Sequence, residues 1–383
     1  MPKAPSSVVG IDLGQHALKA VHLLRKGTNR VSVGGYATRA VGLGDGPLTA
    51  DTLSHHLKLL LRDLGATSKA CVAAVSSPET LLRIIEQPTT PTNLLRDALR
   101  LNGLTLLNQD VRNFVLDCDA IASAPGHAPA ATANGRPTSR YLVGGLPREE
   151  VTRVSEAFAK NRVGLDRLQL APVCNYNAFE FSHGDVFARE AFVLVDIGRT
   201  ETRVIVGAKR EIVLVRIIDY GGDHFLNAIT AEGGIDREAA MTLIEQNDPG
   251  MVDAGRLSLT LLARELRSSI GFFEGQREEP ISRVYFSGGL VRALMPLQIL
   301  SDELEIACDT WDPFQTCSID LPKSQTGAFD TERTHLNIAA GAALDVLLPP
   351  STHVPADETA ADAAPASVPL DRANATAPAA AMV

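Results

Sequence analysis

One pattern constrains this fold more than any other, and it occurs twice. Val8-Val9-Gly10-Ile11-Asp12-Leu13-Gly14-Gln15-His16-Ala17-Leu18-Lys19-Ala20-Val21 runs from an apolar stretch through an aspartate and a glycine-centred turn into a second apolar stretch. Phe192-Val193-Leu194-Val195-Asp196-Ile197-Gly198-Arg199-Thr200-Glu201-Thr202-Arg203-Val204-Ile205-Val206 has the same order. A short apolar run closed by a turn signal reads as a buried strand. Asp12 and Asp196 therefore stand at strand ends, where the backbone leaves a sheet. A carboxylate there is costly to bury without a partner, and a hydrated cation would serve. Gly14 and Gly198 bring the turn backbone close to a bound group, since no side chain intervenes. Lys19 adds a positive charge nearby. Each copy continues through a charged or glycine-containing turn (25 to 29; 207 to 210) into a third strand. One Asp-x-Gly turn is common in hairpins. Two copies with matching flanks predict a duplicated domain whose halves face each other. Two aspartate-tipped hairpins across a cleft form a clamp for phosphate and magnesium.

Composition narrows the function classes. A chain of 383 residues implies two or more domains, and 45% hydrophobic residues suffice for substantial cores. A net charge of -9 with no basic stripe argues against nucleic acid as the main ligand. Cys71, Cys118, Cys174, Cys308 and Cys317 include no Cys-x-x-Cys pair, which points to a reducing compartment and to neither zinc nor a disulfide frame. No apolar signal core precedes Asp12, so secretion is not expected. No run of about eighteen apolar residues occurs, so the chain is expected to meet a membrane only through another protein.

A third glycine stretch carries chemistry. Arg283-Val284-Tyr285-Phe286-Ser287-Gly288-Gly289-Leu290 reads as a strand, a Ser-Gly-Gly turn and a helix. Free amides at a helix start can face a ligand, and Gly288 and Gly289 admit a flat ring or ribose. Gly221 and Gly222 end another strand, with Asp223 placed to cap the next helix. Arg264, Arg267 and Ser268 offer polar ends along a helix from Leu257 to Phe273. Leu304 to Ala307 reads as a strand. The helix from Leu336 to Leu348 carries Ala339-Ala340-Gly341-Ala342-Ala343, small enough to pack closely on a neighbour. Residues 42 to 47 read as a connection without dinucleotide spacing, and Ser123 to Ser139 as a mobile loop. Between the first hairpins and the second copy, strand signals at 81 to 85, 113 to 118 and 141 to 144 surround a helix whose face is Leu94, Leu95, Ala98 and Leu99, capped by Thr92. This alternation predicts a small α/β insert. The expected plan is a first lobe over 1–81, the insert over 82–165, a return to the first lobe over 166–190, a second lobe over 191–348 with a helical subdomain at about 217–278, and a disordered tail over 349–383.

In order and spacing, Asp12-Leu13-Gly14, Asp196-Ile197-Gly198 and Ser287-Gly288-Gly289 resemble the two phosphate loops and the adenosine loop of the actin-like ATPase superfamily. Gly10-Ile11-Asp12-Leu13-Gly14 with Lys19, Leu262 to Ser269 with Phe272-Phe273, and Ala339 to Leu344 are similar to the PilM family of type IV pilus assembly proteins, in the FtsA-like branch. The resemblance covers about residues 8 to 348. It implies a duplicated ribonuclease-H-like α/β fold, two lobes around a nucleotide cleft, with ATP or ADP and Mg²⁺ as cofactors. It puts Asp12, Gly14, Gln15, His16 and Lys19 at the first loop, and Asp196, Gly198, Arg199 and Thr200 at the second. Gly221, Gly222, Arg264, Arg267, Ser268, Gly288, Gly289 and Gly341 complete the implied cofactor set, and Asp12 and Asp196 would hold the metal through water. The implied partner is the cytoplasmic segment of a PilN-like inner-membrane protein, docked on the insert. The chain itself would be a cytoplasmic scaffold, with an FtsA-like division scaffold or a small-molecule kinase as alternatives. A kinase needs a carboxylate base at the acceptor hydroxyl, and no third acidic motif supplies it. This chain departs from the family at His16, where relatives carry a small or hydroxyl residue, and at Arg199 and Glu201. Thr105 to Phe114 replaces an acidic Pro-Phe-Pro stretch. His16 is the nearest residue to a water-orienting base, and turnover is expected below about one per second.

Overall fold

In a computed structural model, the structure describes residues 5–27, 30–41, 48–66, 70–121, 135 and 137–348. The expected connection at 42–47, most of the loop at 123–139 and the tail at 349–383 lie outside these residues.

The first copy of the pattern forms β1 (Ser7–Leu13), β2 (Ala17–Arg25) and β3 (Val31–Ala40), followed by α1 (Ala50–Leu64) and β4 (Cys71–Val75). α1 buries Leu53, Leu57, Leu60 and Leu64, and Gly65 ends it in the left-handed conformation that costs glycine little. The insert follows as β5 (Leu81–Pro88), α2 (Thr92–Leu107), β6 (Phe114–Ala120) and β7 (Thr138–Pro147). After α3 (Arg148–Lys160), β8 (Arg167–Leu170) rejoins the first sheet, and α4 (Ala171–Ser182) and α5 (Gly184–Arg189) lead to the second copy. That copy forms β9 (Ala191–Ile197), β10 (Thr202–Ala208) and β11 (Glu211–Ile218). The helices α6 (Gly222–Gly233), α7 (Arg237–Glu245) and α8 (Val252–Arg277) precede β12 (Arg283–Gly288), α9 (Leu294–Leu304) and β13 (Cys308–Thr310). The chain closes with β14 (Ser318–Ile319), α10 (Lys323–Glu332) and α11 (Asn337–Leu347).

The duplication is written in the strand order. The first sheet runs β14-β3-β2-β1-β4-β8 and the second β11-β10-β9-β12-β13. In each, an antiparallel three-strand meander continues into two parallel strands. Helices cover these sheets, so β1, β9 and β10 are buried almost throughout and read as near-continuous apolar runs. The register is equally regular: Asp12 lies opposite Lys19 and Asp196 opposite Arg203.

Three boundaries differ from the sequence reading. Residues from Ser318 onward belong to the first lobe, because β14 pairs with β3 and α11 packs on β1. A Cβ at Gly10 would lie 2.1 Å from Ala339 O, so bare backbone meets bare backbone there. Small residues announced a close neighbour in the sequence but not which one. The insert also ends sooner, at β7. α3 puts Val154, Ala157 and Phe158 into the core of Leu53, Leu57 and Leu60, making it a first-lobe helix. The expected strand at Leu304 begins instead at Cys308, because α9 continues through Leu304. On α2, Thr92 is the first helical residue and makes no side-chain cap, and Leu94 is 56% exposed while Leu95 and Leu99 are buried.

The insert touches both lobes. Chain connections tie it to the first. To the second it is tied by Arg140 on β7, which pairs with buried Glu211 on β11 and donates to Ile212 O (3.2 Å) and Val213 O (2.9 Å). Arg277, at the end of α8, reaches both oxygens of Glu211 at 3.1 Å.

Candidate functional site

The two aspartate tips face one another. Asp12 is 3% exposed, and its Oδ2 lies 3.5 Å from Lys19 Nζ. Its Oδ1 is buried with no hydrogen-bond partner among the described residues. Burial pushes the Asp12 pKa up, Lys19 opposes this, and the charge of Asp196 from the other lobe adds to it. The turns are as tight as the glycines required. A Cβ at Gly14 would lie 2.7 Å from Ala17 O, and one at Gly198 would lie 2.9 Å from Glu201 O.

The second tip is more heavily partnered. Ser287 Oγ donates to Asp196 Oδ1 at 3.0 Å, and Arg203 Nη1 lies 3.6 Å from Oδ2. Arg203 also pairs with Glu201, whose own pKa burial pushes up while Arg203 opposes. Asn175 Nδ2, from α4, donates to Ser287 Oγ at 3.3 Å. Gly288 has φ +103°, and a Cβ there would lie 2.2 Å from Ile197 O, so this position admits only glycine. A Cβ at Gly289 would meet no atom within 4 Å. The helix expected at Gly289 is first a 3₁₀ turn, Leu290–Arg292, and α9 starts only at Leu294.

At the rim, Thr200 Oγ1 donates to Gln15 Oε1 at 3.2 Å and bridges the lobes. His16 is exposed there; partial loss of water and the charge of Arg199 push its pKa down, leaving it neutral near pH 7. Arg199 Nε donates to Asp223 Oδ2 at 2.8 Å, and Arg237 also pairs with Asp223. Asp223 is thus a counter-ion rather than the helix cap that its position promised. Gly221 takes the cap position, and the N–H groups of Gly222 and Asp223 donate to Gly198 O and Arg199 O at 2.9 and 2.8 Å. Gly221 and Gly222 brace the second turn from behind.

The other expected residues fall elsewhere. Arg267 Nη1 donates to Glu303 O at 2.7 Å and fastens α8 to α9. Arg264 and Ser268 are exposed along α8. Gly341 lies at the crossing of α11 and α4, where a Cβ would sit 1.7 Å from Cys174 O, so its service is to packing. Sequence reasoning missed Asn175, Arg203 and His335. His335 is buried just before α11 and bonded to the Gly288 backbone. Burial, Arg292 and Lys19 push its pKa down to about 3, so it is neutral. Nothing in its local sequence announces it. Arg203 had a signal: it follows Asp196 by the same interval that separates Lys19 from Asp12.

A cation's water fits this site at one place, the free Oδ1 of Asp12. Asp196 is more heavily engaged, with a hydroxyl donating to Oδ1 and a guanidinium 3.6 Å from Oδ2. Among the described residues no cluster of three or more His, Cys, Asp or Glu is arranged to hold a metal directly.

Residues 180–346 match the family described as type IV pilus assembly protein PilM. Curated proteins gave no match. The solved PilM-PilN type IV pilus biogenesis complex contains a chain similar to this one, with a TM-score of 0.75 and 23% identity over 89% of this chain and 99% of that one. Ethanolamine utilization protein EutJ from Carboxydothermus hydrogenoformans matches with a TM-score of 0.53 and 15% identity over 91% of this chain and 92% of that one. The fold is the actin-like ATPase fold, and the family match spans the second and third glycine turns.

Proposed function

We propose that this chain is a PilM-like, nucleotide-gated scaffold of type IV pilus assembly. ATP or ADP with its Mg²⁺ sits between the lobes, Asp12 holds the cation through water, and Gly14, Gly198 and Gly289 leave room for phosphates and nucleoside. The observation that carries this reading is the facing pair of glycine turns with an unpartnered buried oxygen between them. The cation would supply charge neutralisation for the phosphates; the chain's own part is to position them with Lys19 and the turn amides.

The partner surface is a groove of about 1040 Å³ between the insert and the first lobe, lined by Thr49, Asn113, Phe114, Glu149, Thr152 and Glu156 among others. Glu79, Glu149 and Glu156 outweigh Arg148 there, because Arg153 is paired with Glu150. An acidic groove suits a basic peptide, and cytoplasmic flanks of membrane helices carry an excess of Lys and Arg. A PilN-like inner-membrane protein, the partner named with the solved relative, meets that chemistry. Among the described residues no helix is long and apolar enough to cross a membrane, so the partner would provide the membrane contact.

Calorimetry tests both halves of the reading. Mg·ATP should release heat on wild type, and Gly289→Glu, which has room to fold, should lose at least tenfold in affinity. A synthetic peptide of the partner's cytoplasmic segment should bind, with an affinity that changes by roughly fivefold or more when ATP is present. Equal nucleotide heats in both proteins would sink the cleft assignment. A peptide affinity indifferent to ATP would sink the gating.

A further inference from the structure

In a two-lobed phosphate clamp, the cation placed between two opposing carboxylates is ordinarily a metal ion. Here a cation of the chain itself already stands beside one of them, Asp196. Arg203 is buried, and its guanidinium spans Asp196 Oδ2 at 3.6 Å and the carboxylate of Glu201. Its charge also reaches Asp12 on the opposite lobe, where it favours the ionised carboxylate. The backbone fixes it there, since β10 sets Arg203 directly opposite Asp196 on β9. Its Nε is buried without a hydrogen-bond partner among the described residues, so a donor remains within the site. Three carboxylates (Asp12, Asp196, Glu201) face two fixed cations (Lys19, Arg203), which leaves a single negative charge in excess.

We propose that Arg203 is a built-in counter-ion that does part of the work of a divalent cation, so that polyphosphate affinity at this site depends only weakly on Mg²⁺. This rests on the nucleotide-cleft reading and deepens it. Arg203 acts as a positioning residue: it neutralises Asp196 in advance, and so a phosphate chain does not meet two bare carboxylates when the metal is withheld. An arginine suits this role because it stays protonated at any working pH and presents several donors in a fixed plane. Mg²⁺ is left with one protein carboxylate, Asp12, instead of two.

The test is calorimetry of the full chain with ADP and with ATP, in excess Mg²⁺ and in EDTA. Wild type should lose less than about tenfold in affinity when the metal is removed. Arg203→Gln should lose more than about a hundredfold in EDTA and recover most of it in Mg²⁺. Arg203→Lys, which keeps the charge, should restore the wild-type pattern and guards against a Gln variant that fails to fold. A wild type that loses a hundredfold or more in EDTA overturns the inference while leaving the nucleotide cleft intact. A wild type that binds neither nucleotide under either condition overturns the cleft reading itself, and this proposal with it.

Discussion

The two aspartate hairpins have the same backbone and opposite chemistry. Asp12 has Lys19 across the hairpin, Ala17 at the end of the turn, and Ala74 beside it on the parallel strand. Asp196 has Arg203, Glu201 and Ser287 at the corresponding positions. Both alanines offer nothing to a carboxylate, so Asp12 keeps an oxygen free. Glu201 and Ser287 give Arg203 and Asp196 partners from the chain itself. Duplication therefore fixed where an acid and a base stand, and the flanking residues then left one acid with a free oxygen and gave the other partners from within the chain.

The largest expected effect that tests this contrast is on stability. Asp196→Ala leaves Arg203 buried with one partner fewer and should cost about 3–5 kcal/mol. Asp12→Ala removes a carboxylate that is costly to bury, leaves Lys19 near solvent, and should cost less than about 1 kcal/mol. Urea melts of both variants decide it, and equal losses would break the contrast. Next in size is Ser287→Ala. It removes a hydroxyl donor to a buried charge and should cost about 1.5–3 kcal/mol in the same melts. A change within error would mean that Arg203 alone satisfies Asp196.

The smallest effect is a slope. The folded-state pKa of Asp12 is raised above its ordinary value of 3.8, so the folded protein binds a proton there that the unfolded chain does not. Its contribution is fully present below 3.8 and is lost as pH rises through the raised value. The stability of wild type relative to Asp12→Asn should therefore improve as pH is lowered toward 4 in the ligand-free protein. Melts across a pH series read it, and a flat difference would show that Lys19 fully compensates the burial.

The fold was legible where chemistry repeats. Asp-x-Gly flanked by apolar runs specified both meanders. Lys19 was legible because it is the first charge in an apolar strand that follows the first turn. Arg203, at the same interval from Asp196, was missed because Arg199, Glu201 and Arg203 together look like a solvated loop, yet Glu201 and Arg203 are buried. The return of α11 to the first lobe was hidden for a different reason. A helix of Ala and Gly states how closely it packs and says nothing of the surface it packs on. α3 follows β7 with no change in composition, so only its burial against α1 shows that it is not part of the insert. His335 is made important by place alone, since the short 3₁₀ turn Arg333–His335 beside Gly288 carries no motif.

The Arg140 bond to the second lobe changes the kinematics of the whole chain. Two lobes joined by a hinge form an open linkage, and such a linkage can swing wide at little cost. Here the insert is anchored by chain to the first lobe and by Arg140 to Glu211 and the β11 carbonyls on the second. First lobe, insert and second lobe thus form a closed loop of three bodies. A closed loop has fewer free rotations than an open one. Widening the cleft must either break the Arg140 contacts or drag the insert along with β11, and dragging it flexes the groove lined by Phe114 and Glu149.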